Sequence, residues 1–267
     1  MRPDDPSAVR AHAGRYAGGT ALIVLGGTSG IDWREVRDEV WPDVILIGNG
    51  VNGMVQNADY WMCAENMTTW TGTNRMAKTD PVRSAQLMEM FYREAGAKIK
   101  LISHRSWHLL KDTTNCISIR RTGYDFEDIP VDFSFREYGE GFLSGGISKH
   151  PETWQRGVKV RYGTIAIHLL HMAGILGCTN VETIGLDLCF KDENKHHAYD
   201  YPVYKVDPFR TDKMFVDYQG LKTQWIWLET ADFLGKLQPL FVRDGIHWHD
   251  HSNGLLKAKG IASGSTN

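Results

Sequence analysis

Ala21-Leu-Ile-Val-Leu-Gly-Gly-Thr-Ser-Gly-Ile-Asp-Trp33 is the stretch of sequence that predicts the fold of this chain. Five apolar residues lead into a glycine-rich turn, and an amphipathic run of helix formers follows from Asp32 to Val40. This order predicts a buried parallel strand, a tight turn and the start of a helix. The turn has no P-loop lysine and no full dinucleotide fingerprint, so a plain turn without a ligand stays the alternative to an anion site.

The same alternation of strands and helices continues along the chain. Apolar runs of strand length occur at 43–48, 58–64, 97–103, 180–187 and 237–242, and helical patterns occur at 81–95, 165–176 and 218–234. Strands that alternate with helices in this way build parallel sheets covered on both faces. We therefore predict an α/β, Rossmann-like fold with a mainly parallel sheet and helices on both faces.

One segment interrupts this rhythm. Between 112 and 151 the chain carries short alternating runs, 116–119 and 131–135, separated by Gly, Asp and Pro. We interpret this segment as an insertion or a small lid on a single domain that spans 21–256. Residues 1–20 are predicted to be a polar leader or a short helix laid over the domain, and 257–267 a flexible tail.

The bulk composition limits the possible functions. The chain has 267 residues, 42% of them hydrophobic, and a formal net charge of −2. Such a chain can bury a full core, but it lacks the basic excess with which proteins hold nucleic-acid backbones. No apolar run reaches the length of a membrane span, and the first residues form no signal peptide. We expect a cytoplasmic protein that does not bind nucleic acid and does not span a membrane, and homo-oligomerisation stays open.

Polar residues at the predicted strand ends are the first candidates for a site. The turn supplies the backbone of Gly26 and Gly27 and the hydroxyls of Thr28 and Ser29, which suit a phosphate or carboxylate. Asn49 follows the second strand and can both donate to and accept from a base or ribose, although Asn-Gly is equally a turn signal.

The apolar helix at 165–176 and the strand at 180–187 add three more candidates. Gly163 and Thr164 begin the apolar helix at 165–176, whose N-terminus is a second candidate anion site. Asp187 ends a strand, where an acid commonly faces a ribose, a metal or a catalytic water, with N-capping as the alternative. Ligands of such folds collect at the carboxyl ends of the strands.

Several histidines have a structural and a chemical interpretation. His168 and His171 lie one turn apart on the apolar helix, where core histidines are favoured over metal ligands. The run His247-Trp-His-Asp-His251 places three imidazoles on one face of an extended segment, but its spacing matches no zinc motif, and a loop packed by Trp248 is favoured. His104, Arg105 and His108 follow a strand end and either contact substrate or lie in a solvated loop. We assign no metal ligands, and the four scattered cysteines suggest neither a zinc site nor a disulfide framework.

The loop after Asp187 is the last candidate. Residues 191–201 are polar and aromatic, and His196 and His197 could act as acid or base near neutral pH; solvated loop histidines are the alternative.

Taken together, several of these motifs resemble a known superfamily. They are Gly27-Thr-Ser29, Asn49, Ala58-Asp-Tyr-Trp-Met62, Leu176-Gly-x6-Ile184-Gly-Leu-Asp187 and His197-Ala-Tyr-Asp200. The pattern resembles the superfamily that joins hydroxymethyl-dihydropterin diphosphokinase-like proteins, the DUF115 group with its motility accessory glycosyltransferases, to bacterial sialyltransferases that use CMP-sialic acid. The resemblance covers about residues 21–65 and 160–200.

The resemblance implies roles for individual residues. Gly27, Thr28 and Ser29 would hold the nucleotide, and Gly26 stands where the sialyltransferases carry Asn. Asn49 matches their Asn after the second strand. Thr164 keeps one half of their Thr-Ser pair at the start of the buried helix, and an aromatic phosphate-binding residue would fall near His197. The catalytic histidine of the sialyltransferases has no counterpart, because Asp217-Tyr-Gln-Gly220 occupies that segment.

Three functions follow as expectations. The first is a nucleotide-binding, glycosyltransferase-like enzyme that takes a CMP- or NDP-linked sugar donor and a small-molecule or glycan acceptor. In it, His197 or Tyr199 would stabilise the departing phosphate and Asp187 would orient the site. The second is a diphosphokinase-like enzyme that uses ATP and Mg²⁺, with the ion held by Asp187 and Glu65. The third is a non-catalytic nucleotide-binding module, suggested by the missing histidine; no cofactor is firmly expected.

Overall fold

The computed structural model describes residues 6–64, 96–110, 112–151, 161–191, 198 and 215–262. In chain order the strands are β1 (Thr20–Val24), β2 (Val44–Gly48), β3 (Tyr60–Cys63), β4 (Ile99–Ser103), β5 (Cys116–Ile119), β6 (Arg121–Gly123), β7 (Phe142–Ser144), β8 (Asn180–Ile184), β9 (Phe215–Tyr218), β10 (Leu221–Gln224) and β11 (His247–Asp250). The α-helices are α1 (Ser7–Arg10), α2 (Trp33–Val40), α3 (Ile165–Ile175), α4 (Trp225–Arg243) and α5 (Leu255–Ala258).

A seven-stranded parallel sheet is the centre of the molecule. Its strand order is β11-β8-β1-β2-β3-β4-β5, and every neighbouring pair runs parallel. Because β2 to β5 lie on one side of β1 while β8 and β11 lie on the other, the strand order reverses at β1. Such a switch point opens a crevice at the carboxyl ends of the strands. The α/β, Rossmann-like fold predicted from the sequence is confirmed.

Alternating residues of the strands pack against helices on the two faces of the sheet. On one face, Leu22 and Val24 of β1 form a core with Trp33 and Val36 of α2. On the other face, Ala21 and Ile23 of β1 belong to a second core, in which α3 packs against β1 and α4 packs against β11. Helix α3 is buried on nearly all sides, as its continuous apolar sequence predicts. Neither face of the sheet is therefore left to solvent at its centre.

Two predictions near the C-terminus are wrong. The helix predicted at 218–234 begins at Trp225, because β9 and β10 form an antiparallel hairpin before it. The strand predicted at 237–242 is part of α4. Buried Leu234, Leu237 and Phe241 continue the helical spacing of that helix and face the core, so the 3.6-residue period outweighs the short apolar run.

The segment 112–151 contributes one strand to the main sheet and forms a small separate sheet with two others. Its first run forms the edge strand β5, and β6 pairs with β7 in a separate two-stranded sheet. The strand predicted at 131–135 is wrong, since this stretch forms turns. There the Phe135 N–H and the Ser134 hydroxyl donate to the carboxylate of Asp244 instead of pairing in a sheet.

The described parts of both termini pack on the domain. Val9 of α1 is buried, and the N–H groups of Gly14, Tyr16 and Gly18 donate to carbonyls at the end of α3. Near the other end, Ile261 and Ala262 are buried. Of the helices that the structure describes, none combines the length and the apolar character that crossing a bilayer requires.

Candidate functional site

A cavity of about 560 Å³ opens where the strand order reverses. Its walls include residues at or directly after the carboxyl ends of five neighbouring strands, namely Leu25, Gly48, Ala64, Ser103 and Gly185. The remaining walls come from the N-terminus of α3, from β6 and β7, and from Trp227 of α4. The volume lies within the range of pockets that hold small organic ligands. The cavity is therefore the candidate site of the described chain.

The glycine turn after β1 lies between this cavity and a buried carboxylate. Gly26 and Gly27 line the cavity, whereas Thr28 and Ser29 do not. The Ser29 N–H donates to Oδ2 of Asp187 at 3.0 Å, and the Ser29 hydroxyl accepts from the Gly185 N–H at 3.2 Å. Burial raises the pKa of Asp187, and its hydrogen bonds from Ser29 and Thr28 counteract that rise. Thr28 and Ser29, which the sequence suggested for a phosphate, therefore bind a carboxylate of the protein itself.

Three arginines give the cavity a positive charge. Arg105 follows β4, Arg121 begins β6 and Arg161 precedes α3, and all three line the cavity. Among the described lining residues there is no Asp or Glu. Guanidinium groups bind phosphates and carboxylates through paired hydrogen bonds. The electrostatics of the cavity therefore favour an anionic ligand.

The N-terminus of α3 adds to this preference. Gly163 and Thr164 line the cavity, as the sequence predicts for a second anion site. Thr164 is the N-cap of the 11-residue helix, and its hydroxyl oxygen accepts from the Ala166 N–H at 3.3 Å. The positive end of the helix dipole is thus directed at the cavity.

Asn49 contributes a polar amide to the cavity wall. Its backbone has φ of 51°, a left-handed conformation that Asn tolerates better than most residues. The Asn49 carbonyl accepts from Nε1 of Trp61 at 2.8 Å, which fixes the turn. Its side-chain Oδ1 is buried and has no hydrogen-bond partner among the described residues. Since buried polar atoms are normally paired, this acceptor suits a ligand donor.

His168 is a second acceptor without a partner. Its Nδ1–H donates to the Thr164 carbonyl at 3.2 Å, so Nε2 carries the lone pair. Nε2 is buried and lacks a partner within the described part of the chain, and the residue lines the cavity. Burial, with a contribution from the charge of Arg121, lowers the pKa of His168 to about 3. The imidazole is therefore neutral at physiological pH and can accept a hydrogen bond.

His171, one turn further along α3, is a core residue. Its Nδ1 accepts from the Leu143 N–H at 3.0 Å and its Nε2–H donates to the Glu137 carbonyl at 2.7 Å. Burial lowers its pKa to about 4. The partners on both nitrogens make His171 a core residue, which agrees with the favoured interpretation of the sequence.

Other candidates lie outside the described residues. They are His196, His197, Tyr199 and Glu65. The N–H of Ala198 donates to the Gly26 carbonyl at 3.0 Å, so the residue between His197 and Tyr199 in the sequence contacts the cavity turn.

Sequence reasoning missed most of the positive charge. Substrate contact by Arg105 was only an alternative to a solvated loop, and neither Arg121 nor Arg161 was named as a site residue. The available signal was position: Arg105 follows a strand end and Arg161 lies just before the helix start at Thr164.

The comparisons with known proteins give one structural neighbour. No family model matches the sequence, and no curated protein matches it. A solved structure of the MAf glycosyltransferase from Magnetospirillum magneticum AMB-1 is similar at 13% sequence identity, with a TM-score of 0.43. The similarity covers 96% of this chain and 37% of the neighbour, so the chain spans well under half of its length.

Proposed function

We propose that this chain is a nucleotide-binding transferase that uses a nucleotide-sugar donor. The observation that carries the proposal is the cavity at the switch point, which three arginines line and no described acidic residue lines. A nucleotide sugar has one or two phosphates and a body of polar rings. The cavity offers cations and a helix N-terminus for the phosphates, and buried hydrogen-bond acceptors for the polar rings.

Each part of the cavity has a role in this proposal. Arg105, Arg121 and Arg161 hold the phosphate and stabilise the negative charge that develops on it when the sugar leaves. Asn49 Oδ1 and His168 Nε2 accept hydrogen bonds from the base, ribose or sugar. These buried acceptors would give specificity, because a ligand without a matching donor leaves them unpaired.

Asp187 acts in this scheme as a positioning residue. Its carboxylate binds Ser29 N–H and lies next to Gly27, so it shapes the turn that lines the cavity. His197 and Tyr199 remain our candidates for contact with the departing phosphate, supported by the bond between their neighbour Ala198 and Gly26. The acceptor substrate in this proposal is a small molecule or a glycan.

The diphosphokinase alternative needs a site for Mg²⁺, and the described residues do not fit one. Magnesium prefers carboxylate and phosphate oxygens in an octahedral arrangement. The described lining residues include no Asp or Glu, and the Asp187 carboxylate is bonded to the glycine turn. A non-catalytic nucleotide-binding module is the second candidate, favoured by the absence of a histidine in Asp217–Gly220.

Ligand-induced thermal stabilisation tests the proposal. The chain is heated with CMP, UDP, GDP or ATP, each with and without Mg²⁺, because a ligand that binds only the native state raises the melting temperature. We expect at least one nucleotide to stabilise the chain without Mg²⁺. Arg105→Ala should weaken that binding by about tenfold or more, the loss expected for a charge-assisted hydrogen bond.

A matched control and a transfer assay complete the test. Arg34→Ala removes an arginine of α2 that does not line the cavity, and should bind like the wild type. Release of nucleotide from nucleotide sugars, measured with and without glycan acceptors, separates the enzyme from the binding module. Binding without release from any donor would favour the module. Stabilisation by ATP only with Mg²⁺, or no response to any nucleotide, would overturn the proposal.

A further inference from the structure

A second group of side chains lies on a different part of the sheet. Strands β8 and β11 pair in parallel, and their register places His249 opposite Glu182. Oε2 of Glu182 lies 3.1 Å from Nδ1 of His249 and 2.9 Å from Nε2 of His251. One carboxylate oxygen thus lies between two imidazole rings whose centroids are 4.3 Å apart. None of the three residues lines the cavity.

We propose that Glu182, His249 and His251 bind one divalent transition-metal ion, with Zn²⁺ as the best-fitting candidate. Their three ligand atoms lie within 4.8 Å of one another. Ligand atoms about 2.0–2.2 Å from a tetrahedral zinc are about 3.3–3.6 Å apart. The two distances from Glu182 fall slightly below this range, so each of these two pairs must separate by a few tenths of an ångström, and the two imidazole nitrogens lie within 4.8 Å of each other.

The chemistry of the three ligands selects the class of metal. Two imidazole nitrogens and one carboxylate oxygen suit Zn²⁺ and related ions, whereas Mg²⁺ and Ca²⁺ prefer oxygen alone. The carboxylate of Glu39, on α2, acts electrostatically on His251 and adds negative charge near the site. A cation there would replace the protons that now join the histidines to Glu182.

The exposure of the ligands leaves one coordination position open. The side chains of Glu182 and His251 are 16% and 14% exposed, while that of His249 is 42% exposed. A metal held by three protein ligands would therefore reach solvent on the His249 side and take a water there. Because its ligands come from β8, from the edge strand β11 and from His251 directly after β11, the ion would also link the edge strand to its neighbour.

Metal titration of the full chain tests this proposal. The chain is stripped with a chelator and titrated with Zn²⁺ in competition with a chromophoric chelator, and with Co²⁺, whose visible spectrum reports tetrahedral coordination. We expect one equivalent of Zn²⁺ to bind, to raise the melting temperature, and to be matched by Co²⁺ but not by Mg²⁺ at the same concentration.

Single substitutions of the three histidines in and directly after β11 identify the ligands. His249→Ala removes a partly exposed ligand and should weaken Zn²⁺ binding by more than about tenfold, and His251→Ala should do the same. His247→Ala is the matched control, since this exposed histidine of β11 lies outside the cluster of described residues. If His251→Ala fails to fold, His249→Ala decides the question. Zinc binding that is absent, unchanged in His249→Ala, lost equally in His247→Ala or equalled by Mg²⁺ would overturn the proposal.

Discussion

The carboxylate of Asp187 accepts a hydrogen bond of 3.0 Å from the backbone N–H of Ser29. This bond joins the segment after β8 to the turn after β1. These residues are 158 positions apart in the sequence. The contact places a protein carboxylate against the Ser29 N–H, just after the two glycines, while Gly26 and Gly27 line the cavity. The sequence suggests this turn as a phosphate-binding site. In the structure its glycines form part of the cavity wall, and Arg105, Arg121 and Arg161 provide the positive charge.

Gly27→Ala should destabilise the fold. A Cβ at this position would lie 2.6 Å from the Gly185 carbonyl oxygen and closer still to Oδ2 of Asp187. Neither neighbour can retreat without breaking the contact between β8 and the turn, so we expect a loss of about 1–3 kcal/mol in the free energy of unfolding. Urea denaturation measures this loss. Gly139→Ala is the control, because no described atom lies within 4 Å of its added Cβ; equal stability of the two variants would contradict the prediction.

His168→Leu and His171→Leu should differ in how much they destabilise the chain. His171 has a partner on each nitrogen, so its loss leaves the buried Leu143 N–H unpaired and should destabilise the chain by about 2 kcal/mol or more. His168 lacks a described partner on Nε2, and the Thr164 carbonyl still accepts from Ile167, so its replacement should change stability by less than about 1 kcal/mol.

Replacement of His168 should weaken nucleotide binding more than replacement of His171. If Nε2 of His168 accepts a hydrogen bond from the ligand, His168→Leu weakens nucleotide affinity by about tenfold although its fold is intact. Calorimetric titration at a temperature where both variants are folded measures this effect. A large loss of stability in His168→Leu together with unchanged affinity would assign the residue to the core alone.

Acid should destabilise the native state through both histidines. Their pKa values in the folded chain are lowered by burial to about 3 for His168 and about 4 for His171, below the ordinary value of 6.5. Between pH 6.5 and 4 the unfolded chain therefore binds protons that the folded chain does not. The stability that each neutral ring contributes is complete above pH 6.5 and is lost as pH falls toward the folded pKa, at up to about 1.4 kcal/mol per pH unit.

The difference between wild type and variant isolates this effect from other titrating groups. Free energies of unfolding measured in urea at steps between pH 6.5 and 4.5 should fall less steeply in His168→Leu, by about 1.4 kcal/mol per pH unit at most. Parallel curves for the two proteins would show that His168 is protonated in the folded state over this range.

Arg136→Lys should weaken the junction at the end of α3. The guanidinium donates to four backbone carbonyls at 2.8 to 3.2 Å, those of Gly174, Cys178, Asp244 and Gly245. A lysine carries its three donors on one nitrogen and cannot reach carbonyls on several sides of a planar fork. We expect a loss of about 1–3 kcal/mol in the free energy of unfolding, measured by urea denaturation. Arg34→Lys on the exposed face of α2 serves as the control, and equal stability of both variants would refute the prediction.

The sequence by itself determined the parallel sheet and its covered faces. The apolar run 21–25, the glycines after it and the continuous apolar pattern of α3 are local signals, and each produced the predicted element. Gly26, Gly27 and Asn49 follow strands and Gly163 and Thr164 precede α3, and all five line one cavity, since parallel strands present their carboxyl ends at one edge.

Only the tertiary structure decided which side chains meet. The bond between Ser29 and Asp187, the convergence of Arg105, Arg121 and Arg161, and the pairing of Glu182 with His249 depend on strand order and register. Hydrophobic periodicity is a property of neighbouring residues, and it contains no information on which distant strand lies beside β1 or how the two are aligned. For the same reason, the burial of one helical face, and not the local apolar run, made 237–242 part of α4.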